Sequence, residues 1–114
     1  DVNLVYSINE PAGQGAYAAL KAAGKKAIIV SVDGGRTGVQ AVKDGQIGAT
    51  SQQYPLLMAS LGVQAIKDIV TTGKKPSVTP GLDFYNTGTT LITDDPQAGV
   101  PSKPTSYGLT NAWG

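Results

Sequence analysis

Three polar side chains stand at the ends of three apolar, strand-like runs: Asn9 after Val2–Ile8, Asp33 after Ile28–Val32, and Gln53 after Ile47–Ser51. An amide, a carboxylate and a second amide supply both donors and acceptors. A neutral, polyhydroxylated molecule such as a sugar needs that combination. One carboxylate can accept from two adjacent hydroxyls, each charged hydrogen bond contributing roughly 1.5–3 kcal/mol. Arg36, the single arginine, follows the Asp33-Gly34-Gly35 turn. It reads either as a donor to ligand oxygens or as an ordinary surface residue.

Each of these positions also has a purely structural reading. Asp33 could cap the helix that follows it, because aspartate is a favoured N-cap. Asn9 could do no more than stabilise the turn into the first helix. Glu10 beside it reads as a solvated first-turn residue, favourable toward the helix dipole. Gln52 is as plausible a loop candidate as Gln53.

The elements that must position these side chains alternate. Val2–Ile8 and Ala27–Val32 read as strands buried on both faces of a parallel sheet. Between them Pro11 opens a helix over roughly Ala12–Ala23, stopped at Gly24 with Lys21, Lys25 and Lys26 at its negative end. A short helix over Thr37–Lys43 leads to a third strand at Ile47–Ser51. From Pro55 to about Thr71, the rows Leu57, Leu61, Ala65, Ile69 and Met58, Gly62, Ile66, Val70 form one wide apolar face. Gly73 and Pro76 close that helix. Asp83–Tyr85 and Thr90–Ile92 flank a turn-rich Asn86–Thr89 and predict a late strand or irregular ribbon, and from Thr93 the prolines and glycines predict an extended tail. The order β-α-β-α-β-α-β predicts an α/β fold, a Rossmann-like parallel sheet with helices on both faces. In such a sheet ligands bind at the carboxyl ends of the strands, which would align Asn9, Asp33 and Gln53 on one edge. The third helix has more apolar face than so small a sheet can cover, which points to a missing partner.

Composition narrows the function classes. At 114 residues the chain allows one domain, and 40% hydrophobic with 15% charged residues argues against disorder. The net charge of +1 is spread along the chain, whereas a nucleic-acid binder concentrates basic charge on one face. There is no cysteine and no histidine. Disulfides, thiolate nucleophiles and the commonest metal ligands are thereby excluded, along with the usual neutral-pH general base. No tight cluster of other catalytic groups replaces them, so the chain reads as a binding protein without enzymatic activity, cofactor or metal. It opens at Asp1 just ahead of a strand, which reads as a processed or truncated piece.

Gly13-Gln14-Gly15-Ala16-Tyr17-Ala18 matches the dinucleotide pattern G-x-G-x-x-G/A, with Asp33 about 20 residues on. The fingerprint needs its first glycine in the turn directly after the strand, so that the pyrophosphate meets the helix N-terminus. Here Asn9-Glu10-Pro11-Ala12 intervene, and both glycines should fall inside the first helix, where they permit close packing on the sheet.

The stretches VYSINEPAGQGAYAALKAAGKK and AIIVSVDGGRTGVQAVKDGQIGATSQQYP, with the long helix after them, resemble the second half of type I periplasmic sugar-binding proteins of the ribose/galactose type. These are substrate-binding components of ABC transporters. The likeness is nearest to fructose-binding members, in DGG followed by IGATSQQYPLLMA and in the final Trp113-Gly114. The LacI-type regulator sensor domains share the fold and form the second reading. By this resemblance Asn9 matches the asparagine of the family's N-D/E motif, Asp33 the aspartate of its strand-end D-G motif, and Gln53 the hinge glutamine before the proline. All three are sugar-contacting positions in the family. The resemblance implies a monosaccharide ligand, a permease partner, an extracytoplasmic location and no nucleic acid. It also implies a C-terminal lobe fragment, with residues 1–53 in that lobe, 54–82 a hinge and a helix of the N-terminal lobe, and 83–114 a returning strand and tail. The remainder of the N-terminal lobe is then the missing partner.

Overall fold

A computed structural model describes residues 2–114. It divides into two compact units. One runs to Gln53 and resumes at Thr89–Gly114; the other is Tyr54–Gly88.

The first unit is a four-stranded sheet in the order β1-β2-β3-β4, from β1 (Leu4–Tyr6), β2 (Ile28–Asp33), β3 (Ala49–Gln52) and β4 (Thr90–Ile92). β1, β2 and β3 are mutually parallel, with Val5 opposite Ile29 and Asp33 opposite Gln52. β4 runs antiparallel to β3, Leu91 facing Ser51. The sheet is therefore mixed but mainly parallel. Its helices are α1 (Glu10–Ala22), α2 (Arg36–Lys43) and a short α4 (Thr105–Asn111), where α3 denotes Pro55–Thr72 of the second unit. Pro11 lies in the first turn of α1. Its missing N–H costs nothing there.

One sheet face is packed. Ile29, Ser31, Thr50, Gln52 and Ile92 are buried along it, and Ile29 joins Ala41, Val42 and Ile47 in a core flanked by Val5, Ala16, Tyr17 and Leu20. Gly13 belongs to this packing. A Cβ there would stand 2.9 Å from Ser7 Oγ and 3.3 Å from Ile47 Cδ1. Gly15 meets nothing within 4 Å, so only one of the two glycines serves helix–sheet packing.

The other face differs from the expectation of strands buried on both sides. Leu4, Tyr6 and Ile28 are 58%, 71% and 63% exposed. Alternation along β1 and β2 sends these residues away from the core, and no helix of this unit covers them.

The Pro-rich tail is not wholly extended. α4 forms within it because Asp94 accepts hydrogen bonds from the Thr105 backbone N (2.8 Å) and from Thr105 Oγ1 (2.7 Å). Gly108 then lets α4 close on Ile92 and Val39, either of which would lie under 3 Å from an added Cβ. Tertiary packing overrides the weak local propensity.

In the second unit α3 ends where expected, at Gly73 in a left-handed conformation. None of its residues is buried, and Leu57, Leu61 and Ile69 are 45%, 36% and 45% exposed. Asp83–Tyr85 forms no strand. A groove of about 450 Å³ lies within this unit, between α3 and the segment after it, lined by Met58, Leu61, Ala65, Lys74, Pro76 and Tyr85.

Candidate functional site

The carboxyl ends of β1, β2 and β3 lie on one edge, and the turn Asp33-Gly34-Gly35-Arg36 occupies its centre. Asp33 closes β2 with φ 137, the one non-glycine residue with positive φ among those described. That backbone region is nearly closed to residues with a Cβ, and holding one there costs of order 1–3 kcal/mol. The surroundings fix it from several sides. The Asp33 carbonyl accepts from Gln53 N at 2.9 Å and from Trp113 Nε1 at 3.2 Å. Its carboxylate Oδ1 accepts from Gln53 Nε2 at 2.9 Å. Asp33 is not the cap of the following helix: Gly35 is the N-cap of α2 and no side chain of its own caps it.

Glu10 instead holds the turn that leads into α2. Rather than a solvated first-turn residue, it is only 3% exposed. Its Oε1 accepts from Gly34 N at 2.8 Å and from Thr50 Oγ1 at 2.7 Å, and its Oε2 from Gly35 N at 3.2 Å. The carboxylate thus meets the two amides of the turn that leads into α2, near the positive end of its dipole. Burial pushes the Glu10 carboxyl above its usual range; the hydrogen bonds from Thr50, Gly34 and Gly35 pull it down, and the nearby Asp33 charge pushes it up. Gly38 makes the room, since a Cβ there would overlap the Glu10 carboxylate. Local sequence could not show this, because Glu10 reaches partners 24 to 40 residues away.

Gln52 and Gln53 take opposite roles, as period-two alternation requires. Gln52 is fully buried, and its Nε2 donates to Gly34 O at 2.9 Å and to Gly108 O at 3.0 Å. It pins the turn and α4 from below. Gln53 is part-buried at the edge, on the Asp33 carboxylate. Gly34 completes the arrangement. With φ +73 and an imaginary Cβ that would overlap the Gln52 side chain, that position admits only glycine.

Asn9 is the N-cap of α1, its Oδ1 accepting from Ala12 N at 3.0 Å. It shares the strand edge with Asp33 and Gln53, and its connection to them runs through Glu10. Arg36 is exposed, and its Nε donates to Gly114 O at 3.3 Å. The structure therefore joins Asp33 to Gln53 directly, while Asn9 is engaged by α1 and Arg36 by Gly114. Trp113, placed by the sequence in the tail and in the family likeness, bridges to this turn, its carbonyl accepting from Arg36 N at 3.0 Å.

Gly13 and Gly15 lie inside α1, which starts at Glu10, so the dinucleotide fingerprint lacks its turn. Among the described residues no group of three His, Cys, Asp or Glu could hold a metal ion. What the edge offers is a carboxylate with one oxygen engaged, two amides and a guanidinium, all suited to hydroxyl groups.

No family model matches the chain. Among curated proteins it is 44% identical over 75 residues to a ribose import binding protein of Haemophilus influenzae, an alignment covering 66% of this chain and 25% of that protein. Its counterpart in Bacillus subtilis is 32% identical over 75 residues, covering 66% and 24%. The chain thus matches about a quarter of the length of these relatives. Of solved structures, a galactofuranose binding protein superposes with a TM-score of 0.67 at 28% identity, over 78% of this chain and 29% of that one. A Mycobacterium smegmatis protein in complex with β-D-fucofuranose gives 0.55 at 31% identity, over 67% and 26%. A carbohydrate transporter from Acidothermus cellulolyticus in complex with myo-inositol gives 0.72 over 97% of this chain and 36% of that one; at 22% identity it supports the α/β fold alone. The ribose and galactofuranose proteins are named for binding or import, not for catalysis.

Proposed function

We propose that this chain is the C-terminal sugar-gripping part of a type I substrate-binding component of an ABC importer, acting outside the cytoplasm and delivering its sugar to a permease. The observation that carries the reading is Asp33. A carboxylate is held in a strained backbone conformation at a strand end, and Gln53 and Trp113, distant in sequence, maintain it there. Strain that persists because its surroundings over-determine it is characteristic of functional sites.

In this reading Asp33 accepts from two adjacent sugar hydroxyls, while Asn9 and Gln53 each give and take one hydrogen bond and Arg36 donates from the rim. The ligand is a monosaccharide. Similarity to proteins that are named for ribose and galactofuranose, or that hold fucofuranose, supports a small sugar, and fructose is the candidate the motif resemblance favours. Residues 1–53 form part of the C-terminal lobe, 54–82 a hinge and a helix of the N-terminal lobe, and 83–114 the returning strand and tail. Two bare apolar surfaces support a partner lobe: the Leu4, Tyr6, Ile28 face and the α3 stripe. Scattered exposed apolar residues are ordinary, but contiguous patches mark interfaces.

Calorimetry with fructose, ribose and galactose tests this on two polypeptides, the 114-residue chain and a longer one supplying the second lobe. The longer polypeptide should bind one sugar well and the chain alone only weakly, because it offers one face of a two-faced site. Absence of binding by both overturns the reading.

A further inference from the structure

Glu10 is nine-tenths buried or more, charged, and adjacent to the site, yet it takes no part in the ligand contacts proposed above. Its three hydrogen bonds all go to residues that shape the Asp33 turn or the strand beneath it. Gly34 N and Gly35 N are the two amides that immediately follow Asp33. Thr50 lies on β3, across from Ser31 and Ile92. The one carboxylate satisfies all three donors at once. A carboxylate that accepts two successive amides fixes the peptide planes on both sides of Gly34. Those planes set ψ of Asp33, and so the direction in which its side chain leaves the strand. Asn9, one residue earlier, caps the same helix that carries Glu10.

We propose that Glu10 is the positioning residue of this site: by gripping the Gly34 and Gly35 amides it aims the Asp33 carboxylate at the sugar, without touching the sugar itself. The proposal rests on the sugar-site reading for its ligand and on the Glu10 geometry for its mechanism. Gly38 is part of the device, because any side chain there would displace the carboxylate. Thr50 is another part, as it holds Oε1 in register with Gly34.

The test is nuclear magnetic resonance on the full 114-residue chain, comparing wild type with Glu10→Gln, Thr50→Val and Thr50→Ser, each titrated with fructose, ribose and galactose. Glu10→Gln replaces one acceptor oxygen by a donor, so the Gly34 or Gly35 amide proton should move upfield. The Asp33 carboxyl and Gln53 side-chain amide resonances should move with it. Sugar affinity of the folded protein should fall about tenfold, the size of effect when one buried hydrogen bond to a charged group is lost. Thr50→Val should give a smaller change of the same pattern, and Thr50→Ser, which keeps the hydroxyl, should restore it. If Glu10 is merely structural, Glu10→Gln lowers the melting midpoint but leaves the Asp33 and Gln53 resonances and the affinity of the folded protein unchanged; that overturns the proposal. Should neither the 114-residue chain nor a longer polypeptide supplying the second lobe respond to any of the sugars, the ligand reading fails by itself. The coupling of Asp33 to Glu10 is then decided by the resonances alone, coupled shifts upholding it and independent ones ending it. Where Glu10→Gln does not fold, the Thr50 pair decides in the same way.

Discussion

Replacing Asp33 by glycine and by alanine separates two things the residue does. Both substitutions remove the carboxylate and with it the hydrogen bond from Gln53 Nε2. They differ in what remains at φ 137. Alanine keeps the Cβ and therefore the strain, of order 1–3 kcal/mol. Glycine relieves it, at a cost of about 0.5–1 kcal/mol in lost chain entropy relative to alanine. The relief outweighs that entropy loss, so Asp33→Gly should be more stable than Asp33→Ala by about 1 kcal/mol. A difference of that size displaces the midpoint of a domain near this size by roughly 4–8 °C. Against wild type, Asp33→Gly loses one part-buried charged hydrogen bond and gains the relief, so the two should lie within about 1 kcal/mol of each other. Sugar binding should fall alike in both variants. Urea and thermal denaturation of the three proteins, with sugar affinity measured alongside, gives the comparison. Equal or greater stability of Asp33→Ala would refute the reasoning, because the backbone would then store no strain at this position.

The other expectations concern the supports of the site. Glu10, raised by burial, adds stability that is fully present below its ordinary value and is lost as pH rises through its folded value; denaturation across pH should show this slope in wild type and not in Glu10→Gln. Asp94 is held below the usual carboxylate range by its Thr105 hydrogen bonds, so its contribution is present above the ordinary value and lost as pH falls through the folded one. Asp94→Ala should cost about 1 kcal/mol at neutral pH, and that cost should vanish in acid. Gly108→Ala forces a Cβ against Ile92 and Val39 and should destabilise by roughly 1–3 kcal/mol in chemical denaturation.

Much of this was readable from residues because it is periodic. The strand, polar tip, helix repeat pointed to β1 to β3, α1 and α2, and the apolar rows pointed to α3 with its left-handed stop at Gly73. What stayed hidden depends on contacts distant in sequence. Thr90–Ile92 reads as a strand, but its antiparallel pairing to β3 is set by the returning chain and not by any local pattern. α4 is seven residues held by Asp94 and by the fit of Gly108. Leu4 and Tyr6 read as buried because apolar runs imply two covered faces, and here only one face has helices. At the site, the strand-end position pointed to Asp33 and Gln53, whereas Glu10 looked like any first-turn glutamate until its partners came from β3 and the α2 turn.

The most direct test of the account is a titration of isotope-labelled chain, wild type and Asp33→Ala, with fructose, ribose and galactose. The side-chain amides of Asn9 and Gln53 and the backbone amides of Gly34 and Gly35 should shift together with one of these sugars. Those shifts should disappear in Asp33→Ala, consistent with a loss of about 2 kcal/mol, or about thirtyfold in affinity. Shifts confined to the groove lined by Met58, Leu61 and Tyr85, or an Asp33→Ala chain that responds like wild type, would contradict it.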